Sequence, residues 1–186
     1  MPTDRQLSFV ATVRLPAPGK AFCVASTQLG RPFMSKIRRD NGIVSKTKNL
    51  ANLVSLWDNS DKHLSLYFRH SNGAYRLYIR SNNEHYGKGL YLNEDAMLFA
   101  RYVNAAPDLF QISDGKTHNL VVAPQATGAS GQLYLYHRSR GLLLGSKTYS
   151  QVSSTFTAVE AGRTPLLLRI EITAVNAPYL SNPDEV

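Results

Sequence analysis

The sequence predicts an all-β fold, and three observations carry that prediction. Apolar side chains alternate over runs of strand length, with no sustained helical period. Turn-forming dipeptides separate those runs: Pro18-Gly19, Asn41-Gly42, Asn72-Gly73, Asp114-Gly115, Ser130-Gly131 and Ala161-Gly162. Blocks of similar sequence also return along the chain with nearly constant spacing.

In chain order, Ser8 to Val13, Leu64 to Phe68, Tyr75 to Ile79 and Leu133 to Tyr136 are rich in aromatic and branched residues and read as strands. Ala96 to Val103 comes closest to a helical pattern, but Pro107 follows it shortly. Ala21 to Lys36 lies without a gap over Gln132 to Lys147, matching Phe22 with Leu133, Val24 with Leu135 and Gly30 with Gly141. Arg76 to Asn93 fits the same frame with a longer central loop. A second block joins Leu53 to Leu66, Leu109 to Val122 and Phe156 to Leu168. Leu166 to Ile172 reads as a further, thirteenth strand that competes or pairs with the strand near Phe9, and the residues after it as a polar tail.

Composition limits the classes of function. The chain has 186 residues, 43% hydrophobic and 18% charged, which suits one globular domain. Lys and Arg number 21 against 13 Asp and Glu, a formal net charge of +8. No apolar run approaches the roughly 18 residues of a membrane span. Asp4 and Gln6 stand where a signal peptide would be basic and then apolar. Cys23 is the one cysteine, so neither an internal disulfide nor a cysteine-based zinc site is expected, and no N-x-S/T acceptor occurs. These features predict a cytoplasmic protein, or one exported without a signal peptide.

Three copies of a four-strand unit suit a closed six-stranded barrel capped by three hairpins. With that pattern the chain resembles the β-trefoil superfold over roughly Leu7 to Ile172. The resemblance implies a single pseudo-threefold domain over residues 1–186, with repeats at about 7–60, 61–115 and 116–172 and a tail at 173–186. It places Phe9, Leu66, Val122, Leu56, Ile112 and Ala158 on barrel strands. It places Phe22, Leu77 and Leu133, with Phe33, Leu92 and Leu144, on the cap. Ricin-type trefoil lectins carry Gln-x-Trp in the last strand of each repeat. The matching positions here read Ser55-Leu-Trp57, Gln111-Ile-Ser113 and Thr157-Ala-Val159, so no ricin-type functional residue is carried over.

Catalytic patterns are weak. His63, His70, His85, His118 and His137 include no close metal-type pair, and no G-x-S-x-G elbow is present. Gly141 to Thr148 imitates a phosphate loop, but its spacing is one residue short and strand signals surround it. No enzyme, metal or cofactor is expected. Two clusters suit binding. Asn82, Asn83, His85 and Tyr86 occupy the enlarged hairpin of the second repeat, and His137, Arg138 and Arg140 the matching hairpin of the third. A flat amphipathic ring beside amides and guanidinium groups suits a shallow sugar site.

The expectation is a lectin-like, non-catalytic carbohydrate-binding monomer whose partner is a glycan or glycoprotein. The alternative is a protein-interaction module, such as a protease inhibitor or the accessory domain of a larger assembly, presenting the loops Ile37 to Leu50 and Glu94 to Asp108. A polyanion binder using Arg31, Lys36, Arg38, Arg39, Lys46 and Lys48 is a further alternative. Nucleic acid is not expected, because Phe33 is the one aromatic in that basic stretch.

Overall fold

The computed structural model describes residues 3–17, 20–26, 34–37, 46–49, 51–58, 63–114, 126–149 and 154–177. A short helix, α1 (Asp4–Leu7), precedes β1 (Phe9–Arg14), β2 (Lys20–Val24), β3 (Met34–Ile37), β4 (Lys46–Asn49) and β5 (Val54–Asp58). There follow β6 (Leu64–Ser71), β7 (Ala74–Ile79), β8 (Gly89–Leu92), β9 (Leu98–Arg101) and β10 (Leu109–Asp114). The last five are β11 (Ser130–His137), β12 (Leu142–Leu143), β13 (Gly145–Tyr149), β14 (Ser154–Ala158) and β15 (Leu168–Val175).

Six of these strands form a closed antiparallel barrel, in the order β1, β6, β7, β10, β11, β15 and back to β1. The ring closes where Leu109 and Phe110 of β10 face Arg76 and Tyr75 of β7. Strict alternation makes this possible. In β15, Leu168, Ile170 and Ile172 are buried, while Arg169, Glu171 and Thr173 are exposed. Between β6 and β7 the chain reverses at Asn72-Gly73, with φ of +52° and +73°, the left-handed pair that a two-residue hairpin requires.

The barrel core is aromatic at one end. Phe9 stacks on Phe68 with ring centroids 4.6 Å apart, and the Tyr75 ring stands edge-on to both. Outer strands cover the barrel. β2 pairs with β5, β8 with β9, and β13 with β14. These three pairs touch one another through β14–β5 and through bridges at Leu53–Phe99 and Met97–Ala158. Ala25, Leu53, Met97, Phe156 and Ala158 form a small core at that meeting point. β3 and β4 pair separately, within the stretch that joins β2 to β5. No helix among the described residues is long and apolar enough to cross a membrane.

The all-β reading and the six-strand closure agree with the sequence, but the allocation of strands differs. Leu56 and Ala158 lie on outer pairs rather than on the barrel, whereas Leu77 and Leu133 belong to barrel strands. Leu166 to Ile172 is no surplus strand: β15 pairs with β1 on one edge and β11 on the other, and the ring needs it. The physical reason is that barrel and outer strands share the same two-residue period. Alternation shows which side chains turn inward and leaves open which strand lies alongside. Val122 and Phe33 fall outside the described residues.

Phe156 is fully buried where the three outer pairs meet. Phe156→Ala is expected to cost about 3–5 kcal/mol in urea unfolding, whereas Tyr102→Ala, at an exposed ring, should change stability by less than about 0.5 kcal/mol.

Candidate functional site

Barrel closure sets two connecting segments side by side. β7 ends at Ile79 and β10 begins at Leu109; because the strands run antiparallel, those ends lie at the same end of the barrel. The segment 80–88 leaves β7 there, and the segment 102–108 enters β10 there.

The 80–88 loop is tied at its neck. Ile79 N donates to Lys88 O, and Gly87 N donates to Ile79 O, both at 2.9 Å. Arg80 N donates to Ser65 O (2.7 Å), and Ser65 N donates to Ser81 Oγ (2.8 Å), fixing the loop to β6. Inside it, Asn83 Oδ1 accepts from His85 N (2.9 Å) and Asn83 O from Tyr86 N (3.0 Å). Short polar side chains that bond their own backbone favour such turns.

His85 is 2% exposed and both of its ring nitrogens are engaged. Nδ1 lies 3.0 Å from Lys88 Nζ; Nε2 lies 2.6 Å from Ser26 Oγ and 3.2 Å from Glu84 Oε1. Burial lowers the His85 pKa below its ordinary 6.5 and the Lys88 charge lowers it further, against the opposing pull of Glu84. Burial likewise lowers the Lys88 pKa, with Glu84 opposing. An ammonium can only donate, so Nδ1 of the neutral ring accepts and the ring proton sits on Nε2. That proton points to Ser26 Oγ, and the Ser26 hydroxyl in turn donates to Glu84 Oε1 (2.9 Å). Donors and acceptors thus run in one direction from Lys88 through His85 and Ser26 to Glu84.

Two rings stand out into solvent around this loop. Tyr86 is 53% and Tyr102 is 75% exposed, the two exposed large hydrophobic side chains among the described residues. The Arg80 guanidinium lies between Tyr67 and Tyr86, 5.0 and 5.7 Å from the ring centroids, and Nη1 donates to Tyr86 Oη (3.1 Å). Lys88 Nζ lies 5.0 Å from the centroid of Tyr102. The 102–108 segment is pinned in turn: Tyr91 Oη donates to Ala105 O (2.6 Å), and Asp108 Oδ2 accepts from Leu92 N (2.7 Å). Gly89 permits this close approach, since a Cβ there would stand 2.6 Å from Pro107 Cγ.

The second predicted cluster lies at the turn between β11 and β12. His137 is 3% exposed. Its Nδ1 accepts from Arg140 N (3.2 Å), and its Nε2 sits 3.4 Å from Asp108 Oδ2, a contact without hydrogen-bond geometry. Burial pushes the Asp108 pKa up, but the His137 ring, the Leu92 amide and the Arg140 charge outweigh it, so the pKa is lowered. Arg138 donates to Asn72 O (2.9 Å) and so ties this turn to the β6–β7 turn; Arg140 is exposed.

The structure therefore brings Asn82, Asn83, His85 and Tyr86 together on one loop and His137, Arg138 and Arg140 together on another turn. No hydrogen bond, ion pair or ring contact joins the two sets among the described residues; the 80–88 loop meets the 102–108 segment through Lys88 and Tyr102, and His137 meets it at Asp108. Asn82 and Tyr86 face solvent, whereas His85 and His137 are support within the fold. Of the basic cluster, Lys36 lies on β3, and Lys46 and Lys48 on β4, with Lys36 facing Thr47, Ile37 facing Lys46 and Ser35 facing Lys48. Arg31, Arg38 and Arg39 lie outside the described residues. No group of three or more His, Cys, Asp or Glu suited to a metal occurs among the described residues.

Sequence reasoning missed Ser26, Arg80, Glu84, Lys88 and Tyr102. Arg80, Glu84 and Lys88 belong to the same short polar stretch as Asn82 and could have been taken with it. Ser26 is 59 positions from His85, and no local pattern announces their contact.

The pH dependence follows from His85. Below pH 6.5 the unfolded chain binds a proton at this residue that the folded chain refuses, so its contribution to stability is complete above that value and is lost as pH falls toward the lowered folded pKa. Chemical unfolding at about pH 7.5 and 5.5 should show the native chain losing more stability on acidification than His85→Gln does. An equal loss in both would remove the buried neutral ring as the cause.

Set beside known proteins, the chain matches no protein-family model, no curated protein and no solved structure.

Proposed function

We propose that the chain is a β-trefoil carbohydrate-binding module without catalytic activity, acting as a monomer through the 80–88 loop. The trefoil part of this reading is supported by the order of the strands. One outer pair is inserted after β1, one after β7 and one after β11, each between two neighbouring barrel strands. The three pairs meet around Phe156 as three capping hairpins would.

The observation that carries the binding reading is the exposure of Tyr86 and Tyr102 beside a pinned polar loop. A phenol ring held against a cation keeps one face open to the C–H face of a pyranose, while Asn82, Glu84 and Arg80 offer groups for its hydroxyls. His85 takes the part of a positioning residue, holding Lys88 under Tyr102.

The arrangement of Ser26 and His85 also favours a non-catalytic part. A nucleophilic serine must give its proton to the imidazole. With Lys88 donating to Nδ1, the His85 ring has no lone pair to offer at Nε2, and the Ser26 proton is directed to Glu84.

A protein partner is the second reading, favoured by the same surface, because exposed Tyr and Arg side chains anchor many protein interfaces.

A glycan array, followed by titration calorimetry on the strongest ligand, tests the proposal. Tyr86→Ala and Tyr102→Ala should each weaken binding about tenfold, the loss of one stacking contact of about 1.4 kcal/mol, with melting temperatures unchanged. A flat array, with a partner retained from extract that free sugars cannot displace, would replace this reading with the protein-interaction one.

A further inference from the structure

Two cations stand against the exposed rings, and among the described residues neither forms an ion pair. Among the described residues, the ion pairs of the structure join Arg14 to Glu171, and Lys147 and Arg163 to Glu160, with the remainder involving histidines. Arg80 and Lys88 take part in none of them.

The carboxylate nearest in sequence, Glu84, is already occupied: Oε1 accepts from Ser26 Oγ and lies 3.2 Å from His85 Nε2. No ion pair joins it to Lys88 among the described residues, although its charge does act on the Lys88 ammonium, opposing the effect of burial. One of the three Lys88 N–H donors is spent on His85 Nδ1 and two remain. Arg80 is held by two neighbouring rings and by a bond to Tyr86 Oη, so pairing with an anion would cost little side-chain entropy. The overall charge of +8 adds long-range attraction for an anion.

Resting on the carbohydrate reading above, we propose that this loop selects sugars carrying an acid group, a carboxylate or a sulfate. The acid oxygens pair with the Arg80 guanidinium while the sugar ring lies on Tyr86. Lys88, 9% exposed and held by His85, adds positive charge beside Tyr102 on the other limb of the loop. A neutral sugar would leave the charge of Arg80 and Lys88 unmatched.

The test uses the full chain and three matched oligosaccharides: a uronate-containing one, its carboxyl-reduced counterpart and a sulfated one. Calorimetry at low and high salt should show the uronate or the sulfated sugar binding at least about tenfold more tightly than the reduced one, with the preference shrinking as salt rises. Arg80→Gln should erase the preference for the acid sugars over the reduced one, and Arg80→Lys should keep part of it. If melting shows that Arg80→Gln does not fold, Lys88→Gln carries the same comparison.

Equal affinity for acid and reduced sugars in the native chain overturns the acid-group proposal and leaves the carbohydrate reading standing. Binding to none of the three, with a flat array, overturns both. Equal or tighter binding of a single-stranded nucleic acid also overturns it, since it would make the cations a phosphate track rather than a sugar subsite.

Discussion

The pairing of β7 with β10 is the constraint on which the rest of the molecule depends. Without it the six barrel strands form an open sheet with two unpaired edges. With it, Phe110 is carried across to Tyr75, which stands edge-on to the stacked rings of Phe9 and Phe68. The same pairing also fixes where the loops emerge. The exit of β7 and the entry of β10 become neighbours, so Tyr86 and Tyr102, sixteen positions apart in sequence, are carried by adjacent segments. Surface chemistry at this end of the barrel is thus a consequence of ring closure.

A second level of order lies within the loop. Exposed tyrosines on a loose loop would lose conformational freedom on meeting a ligand, and that loss would weaken binding. Here the neck is double-bonded to Ile79, Ser81 is bonded to β6, and Asn83 organises the turn ahead of Tyr86. The buried line from Lys88 through His85 to Ser26 joins this loop to the segment after β2. Its direction matters: a doubly protonated His85 could no longer accept from Lys88, so the neutral ring and the placement of the ammonium under Tyr102 stand or fall together.

What the sequence discloses and what it withholds can be traced to particular residues. The inward set of β15, Leu168, Ile170 and Ile172, is visible as plain alternation, and the turn at Asn72-Gly73 is visible as a dipeptide with one backbone solution. Tyr86 was legible as a ring in a polar loop, and it is exposed. The environment of His85 was not legible. A histidine among asparagines and a glutamate reads as solvated, yet its burial depends on Ser26, which only the packing of the outer pairs brings near. Leu77 and Leu56 carry the same residue type in similar strands, and nothing local separates a barrel position from an outer one. Strand neighbours are long-range facts, and the two-residue period contains no record of them.

The 80–88 loop is a pinned platform rather than a mobile connection. Native-state amide exchange at Ile79, Gly87 and Lys88 tests it most directly, because these amides donate the bonds that close and brace the neck, to Lys88 O, Ile79 O and His85 O. Protection at these three amides should approach that of Leu77 inside the barrel, with Asn82 exchanging quickly at the tip. Exchange at the rate of an unstructured peptide at all three, with the barrel still protected, would contradict it.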